Sequence, residues 1–175
     1  MFAGMPSRPL ARVRPRLLAV LGVAAFAVVG CSAPPEPAVT FYADGDTVRT
    51  EPLIHCDALV RQCEQGGEPA RLAVRPGRPV QISVPADVAE APWVVNVQYL
   101  DAAGEPRPVR QEFFSPGTQH AHTVTAGPGD QLLVVEVQQL GAAFAGDEEG
   151  NPIVDEEGNP QLVARAIWSL QVEPA

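Results

Sequence analysis

Two histidines one residue apart, His120 and His122, have the spacing in this chain best suited to a metal ion. On an extended strand His120-Ala121-His122 places both rings on one face, about 6.6 Å apart along the chain. That spacing can present two imidazoles to Zn²⁺ or Cu²⁺, with His55 or a carboxylate needed as a third ligand. The plainer outcome is two exposed histidines on a solvent-facing strand. A second feature is a tandem repeat: Asp147-Glu148-Glu149-Gly150-Asn151-Pro152 recurs as Asp155-Glu156-Glu157-Gly158-Asn159-Pro160, with only Ile153 and Val154 between. Acids at the first and third positions and Asn at the fifth could coordinate Ca²⁺ through oxygens. The EF-hand loop, however, needs Gly at the sixth position and a bidentate Glu at the twelfth. Here Gly is fourth, and the twelfth residue from Asp147 is Gly158. Two successive tight turns are the simpler expectation, with Gly150 and Gly158 supplying positive φ and the acids keeping the tip in water. Such a tip is also a candidate partner-facing surface.

Nucleophile machinery is not apparent. The serines beyond the N-terminal segment (Ser32, Ser83, Ser115, Ser169) sit in no Gly-x-Ser-x-Gly elbow, and no Gly-rich phosphate loop follows a strand. Neither an enzymatic activity nor a cofactor is expected. Cys56 and Cys63 enclose six residues, Asp57 to Gln62, rather than the two of a redox Cys-x-x-Cys. A structural disulfide is the expectation in an oxidising compartment; two free thiols, or a metal pair with His55, are the alternatives.

The third cysteine belongs to a different feature. Arg8, Arg12, Arg14 and Arg16 precede an apolar run, Leu17 to Gly30, in the layout of an export signal. Fourteen residues as a helix span about 21 Å, short of a hydrocarbon core of about 30 Å. The run ends Val28-Val29-Gly30-Cys31, which resembles the bacterial lipobox. In lipoproteins of that kind the cysteine takes a diacylglycerol and becomes the first residue of the mature chain, and more than one acyl chain makes the anchoring stable. Ser-Ala-Pro-Pro-Glu-Pro-Ala follows, a semi-rigid spacer of roughly 20 Å. The expected organisation is a signal over 1–30, a lipidated Cys31 with its spacer over 31–38, and one domain over 39–175.

The elements that must position these residues read as β-strands. Proline is scattered through the body, so few stretches could hold an unkinked helix; Asp57 to Gln65 is the one candidate. Period-2 alternation is frequent. Trp93, Val95, Val97 and Tyr99 share one strand face; Leu133, Val135 and Val137 share another; Leu162, Ala164, Ala166, Trp168, Leu170 and Val172 share a third. Weaker strands are expected at 39–43, 46–50, 70–74, 79–84, 108–114 and 119–125, separated by Gly-, Pro- and Asp-rich turns. Seven to nine short strands of this kind predict an all-β, Ig-like two-sheet β-sandwich with Trp93 and Trp168 between the sheets. A small barrel is the alternative.

All twelve basic residues are Arg, and beyond the leader eight Arg face 21 acids, a net of −13. Such acidity argues against nucleic acid as a partner, because phosphate-backbone binding needs a basic stripe.

With lipobox, Pro spacer and Arg-without-Lys usage in place, the chain resembles an actinobacterial envelope lipoprotein. It is similar, more narrowly, to an exported actinobacterial family known as a domain of unknown function. The residues that carry this resemblance are Cys31, the His55-Cys56 to Cys63 loop, the Trp93-Val-Val-Asn-Val-Gln-Tyr strand and the doubled Asp-Glu-Glu-Gly-Asn-Pro. The resemblance implies a place outside the cytoplasmic membrane, held by the lipid on Cys31, and no catalytic residues. The expected role is a non-enzymatic binding or structural module meeting an envelope protein; the alternative is a Zn- or Cu-binding lipoprotein using His120 and His122.

Overall fold

Asp44 and Gly45 both take left-handed backbone, with φ of 51° and 100°. They close a two-residue hairpin between β1 (Val39–Ala43) and β2 (Asp46–Thr50). Positive φ at both central positions is the type I′ pattern, whose twist matches that of paired strands. The computed structural model describes residues 36–155 and 158–175. The expectations placed on the export segment, on Cys31 and on Glu156 and Glu157 lie outside the described residues.

The remaining elements are β3 (Ile54–Cys56), β4 (Cys63–Gln65), β5 (Ala70–Ala73), β6 (Val80–Ser83), α1 (Ala86–Ala89), β7 (Trp93–Leu100), β8 (Arg110–Phe114), β9 (Ala121–Val124), β10 (Gln131–Phe144) and β11 (Leu162–Glu173). Four strands form an antiparallel sheet in the order β2-β1-β6-β9. Seven form the other, in the order β4-β3-β11-β10-β7-β8, with β5 added parallel to the end of β11. One edge of β11 is therefore shared. Ala166 and Ile167 pair with β3, and Leu170 to Glu173 pair with β5.

The sheets face each other across one apolar core. Val39, Phe41, Val80 and Ile82 come from the smaller sheet, and Trp93, Val95, Val97, Val135, Val137, Ala166, Trp168 and Leu170 from the larger. Both tryptophans are fully buried, as the alternation predicted. The architecture is an open, sandwich-like pair of sheets with eleven strands among the described residues rather than seven to nine. Two of the additional strands, β3 and β4, are only three residues long and flank the disulfide, too short to register as alternation.

Two sequence expectations need correction. The helix expected within Asp57–Gln65 does not form. The Asp57 carboxylate instead accepts hydrogen bonds from the amides of Leu59 (3.1 Å) and Arg61 (2.8 Å), holding a tight loop that gives way to β4. That is the local bonding by which Asp competes with helix. The one helix described is the single turn α1, which follows Pro85. Leu133 does not share the inward face of Val135 and Val137, because a register shift between Leu132 and Val134 turns Leu132 into the core instead. One added residue in a strand moves its neighbours to the opposite face.

Candidate functional site

Four places in the fold gather polar chemistry. The first is the edge where β8 of the larger sheet meets β9 of the smaller. Residue 122 pairs with the inward-facing Ile82, so the His122 side chain turns in between the sheets. Its Nε2 lies 3.1 Å from Glu112 Oε2, a close contact that is not aligned as a hydrogen bond. The ring packs on Phe114 with centroids 5.0 Å apart, and Phe114 stacks on Trp93 at 4.0 Å. Arg110 completes the edge, 3.6 Å from Glu112 Oε1, and donates to the carbonyl of Thr125 at 2.8 Å.

His120 differs from His122 in exposure, since only 15% of the His122 side chain is exposed. It lies exposed in the bend before β9, since the strand begins only at Ala121. Among the described residues, no group of three or more His, Cys, Asp or Glu side chains is arranged to hold a metal ion. His55 is elsewhere, on β3, with Nδ1 3.8 Å from Glu36.

The second place is the acidic repeat. Asp147 and Asp155 each organise a turn in the same way. Asp147 Oδ1 accepts from the amides of Glu149 (3.1 Å) and Asn151 (2.8 Å), and Asn151 Nδ2 donates to Oδ2 at 3.1 Å. Asp155 Oδ1 accepts from the amide of Asn159 at 2.8 Å, and Asn159 Nδ2 donates to Oδ2 at 3.2 Å. Gly150 and Gly158 both have φ of 85°, the backbone the turns required. Hydrogen bonds from Ile153 N to Ala145 O and from Gln161 N to Ile153 O fold the two turns into a small meander beyond β10. The Asn151 side chain, together with the amides of the turn, holds the Asp147 carboxyl below its ordinary range. These oxygens serve the turns themselves, which explains why the spacing departs from a Ca²⁺ loop. Beside the carboxylates, Phe144, Ile153 and Val154 are exposed.

The third place lies under the disulfide loop. Cys56 and Cys63 are bonded to each other, as the spacing predicted. Gln139 on β10 is fully buried, and its Nε2 donates to the carbonyls of Asp87 (2.6 Å) and Val88 (3.0 Å) in α1. Its Oε1 accepts from Arg165 Nε on β11 at 2.9 Å. Sequence reasoning missed this pair. The available signal was a polar residue at the next inward position of the series Val135, Val137, Gln139; a glutamine there must find buried partners.

The fourth place is the β1–β2 hairpin. The Asp44 side chain is only 8% exposed and accepts from Arg75 Nη2 (2.7 Å), the Arg75 amide (2.9 Å) and Arg78 Nε (3.1 Å). Hydrogen bonds from the Arg75 side chain and amide, with Arg78 adding to them, hold its carboxyl far below the usual carboxylate range. A folded pKa depressed in this way contributes stability above the unfolded value of about 3.9, and that stability is lost as pH falls toward the folded value. Asp44→Asn is therefore expected to be less stable than the parent at pH 7, with the gap narrowing as pH falls below about 4. Urea midpoints at pH 7 and pH 3 check this. A gap that stays constant between them would remove Asp44 from the acid response.

Comparison with other proteins places the chain. The uncharacterised protein Rv0875c of Mycobacterium tuberculosis is 28% identical over 153 residues, 86% of each chain. Mb0899c of Mycobacterium bovis, also titled uncharacterised, is similar to the same extent. No solved structure matches. The family match spans residues 32–173, which include the disulfide, the buried Gln139–Arg165 pair, both tryptophans and the doubled acidic turn. The chain belongs to DUF2771, a family of proteins of unknown function.

Proposed function

We propose that this is a lipid-anchored, non-enzymatic binding module of the cell envelope, an Ig-like sandwich held outside the cytoplasmic membrane by Cys31. In this reading the 144–162 tip meets a protein partner. The observation that carries it is the tip's composition and the hydrogen bonding of its turns. Two self-satisfied Asx turns present Phe144, Ile153 and Val154 to solvent at 59%, 42% and 49% exposure, among carboxylates. An apolar centre with a charged rim is the anatomy of a specific interface, and isolated surface turns have no need of it. The complement is a protein with an apolar pocket rimmed by Lys or Arg, which the −13 charge beyond the leader would steer toward the tip. In this reading the anchor stands close to the domain. Trp168 Nε1 donates to the Pro37 carbonyl at 2.9 Å, so the chain is already fixed to the domain six residues after Cys31.

One fractionation tests both parts. Cys31→Ala is expected to abolish the lipid-dependent mass of the mature N-terminus. Replacing residues 146–160 by Asn-Gly, which the bonded pair Ala145 and Gln161 can accept as a two-residue turn, is expected to leave the thermal midpoint within about 3 °C of the parent and to remove partner adducts after cross-linking in the host envelope. Unchanged adducts in the tip-replaced protein would overturn the tip as the binding surface.

A further inference from the structure

Among the described residues, Arg165 is the only arginine that is neither exposed nor paired with a carboxylate. Arg71, Arg75, Arg78, Arg107 and Arg110 each have an acidic neighbour, and Arg49 and Arg61 are exposed. In a domain so rich in acids, a half-buried guanidinium without a carboxylate is an unusual choice. Its direction is also fixed. Nε donates to Gln139 Oε1, and the buried Gln139 amide uses its own two N–H groups on the α1 carbonyls. The two terminal nitrogens of Arg165 are left as an end-on fork with no hydrogen bond to another described residue.

That arginine lines a pocket of about 380 Å³ together with Ala58, Glu90, Pro92, Leu140 and Gly141. The volume falls inside the roughly 300–1,000 Å³ of small-molecule sites. Each wall is separately held. Ala58 belongs to the disulfide loop, and its carbonyl accepts from the Ala142 amide at 2.8 Å. Gly141 is required beneath this loop, because a Cβ there would lie 2.7 Å from Val60 Cγ2. Val60 itself is held at φ 55°, a conformation unfavourable for a β-branched residue. The pairing of β10 with β11 shifts register between Gln139 and Leu140, a bulge at the pocket floor. Strain and bulges of this kind concentrate where a fold positions a site.

The lining chooses among ligands. An arginine fork matches the two oxygens of a carboxylate or a phosphate. Glu90, exposed on the same rim, repels a dianion and attracts an ammonium. Small apolar walls at Ala58, Pro92 and Leu140 suit a short aliphatic body. We propose that this pocket binds small zwitterionic carboxylates, free amino acids or short peptides, with the carboxylate on Arg165 and the ammonium toward Glu90. This site is distinct from the tip and does not depend on it.

The test uses the full chain in detergent micelles, titrated with L-alanyl-L-alanine while the Arg165 Nε–Hε resonance is followed by NMR. One saturable transition below roughly 50 mM is expected. L-Alanyl-L-alanine amide, lacking the carboxylate, is expected to bind at least about tenfold more weakly, and the N-acetylated dipeptide to lose the contribution of Glu90. Inorganic phosphate is expected not to compete. Arg165→Gln should abolish the transition seen at backbone amides of Gly141 and Ala142, while Glu90→Gln should bind the free and N-acetylated dipeptides alike. If Arg165→Gln does not fold, the acid-against-amide comparison in the parent protein decides alone. Equal binding of acid and amide, no saturation by any carboxylate, or preference for phosphate would each overturn the proposal.

Discussion

Truncating Trp168 to alanine is expected to cost about 3–5 kcal/mol, a large share of the roughly 5–15 kcal/mol that holds a typical domain folded. The indole is fully buried at the middle of β11, opposite Val137 on β10. Its loss leaves a cavity between two sheets whose paired strands cannot close over it without breaking register. The side chain has a second role that a cavity estimate omits. Its Nε1 holds the Pro37 carbonyl, so it links the spacer to the core. Trp168→Phe separates the two roles. It keeps most of the apolar volume, and the lost hydrogen bond accounts for only about 1 kcal/mol. Urea denaturation of parent, W168F and W168A measures both. An alanine variant within about 1 kcal/mol of the parent would show that the two sheets do not share the core described.

The second large effect is expected at the disulfide. Replacing Cys56 and Cys63 by serine should lower stability by about 2.5 kcal/mol, the loop-entropy value for an eight-residue ring. The loss should also have a local signature. Residues 57–62 keep their Asp57 turn, yet Ala58 and Val60 lose the tether that presses them over Gly141 on β10. Hydrogen exchange at the Ala142 amide, which bonds to Ala58 O, should therefore accelerate more than exchange at the β7–β10 ladder. Uniform acceleration would mean that the disulfide acts only through the unfolded chain.

Particular residues show why parts of the fold were legible in the sequence and others were not. Trp93, Val95 and Val97 were readable because a strand with one buried face must alternate, and the neighbouring β10 and β8 leave that alternation unbroken. The turns at Gly150 and Gly158 were readable because only a few residue types accept their backbone. Leu133 was misassigned because a bulge is set by the partner strand and leaves no mark in the alternation of its own. His122 looked like half of an exposed pair. Its inward turn comes from pairing with β6, and its contact with Glu112 from a strand in the other sheet. Arg165 sits on β11 at the register shift in the β10–β11 pairing. Its significance depends on Gln139, α1 and the disulfide loop, which converge only in three dimensions.

Partner binding through the tip is tested most directly by a photo-cross-linking amino acid at Val154 in the full chain, expressed in its host. A control carries the same group at Gln111, exposed on β8. Tip-mediated recognition predicts one discrete protein adduct from Val154, diminished by high salt and absent from Gln111. No adduct at Val154, or the same adducts from both positions, would contradict it.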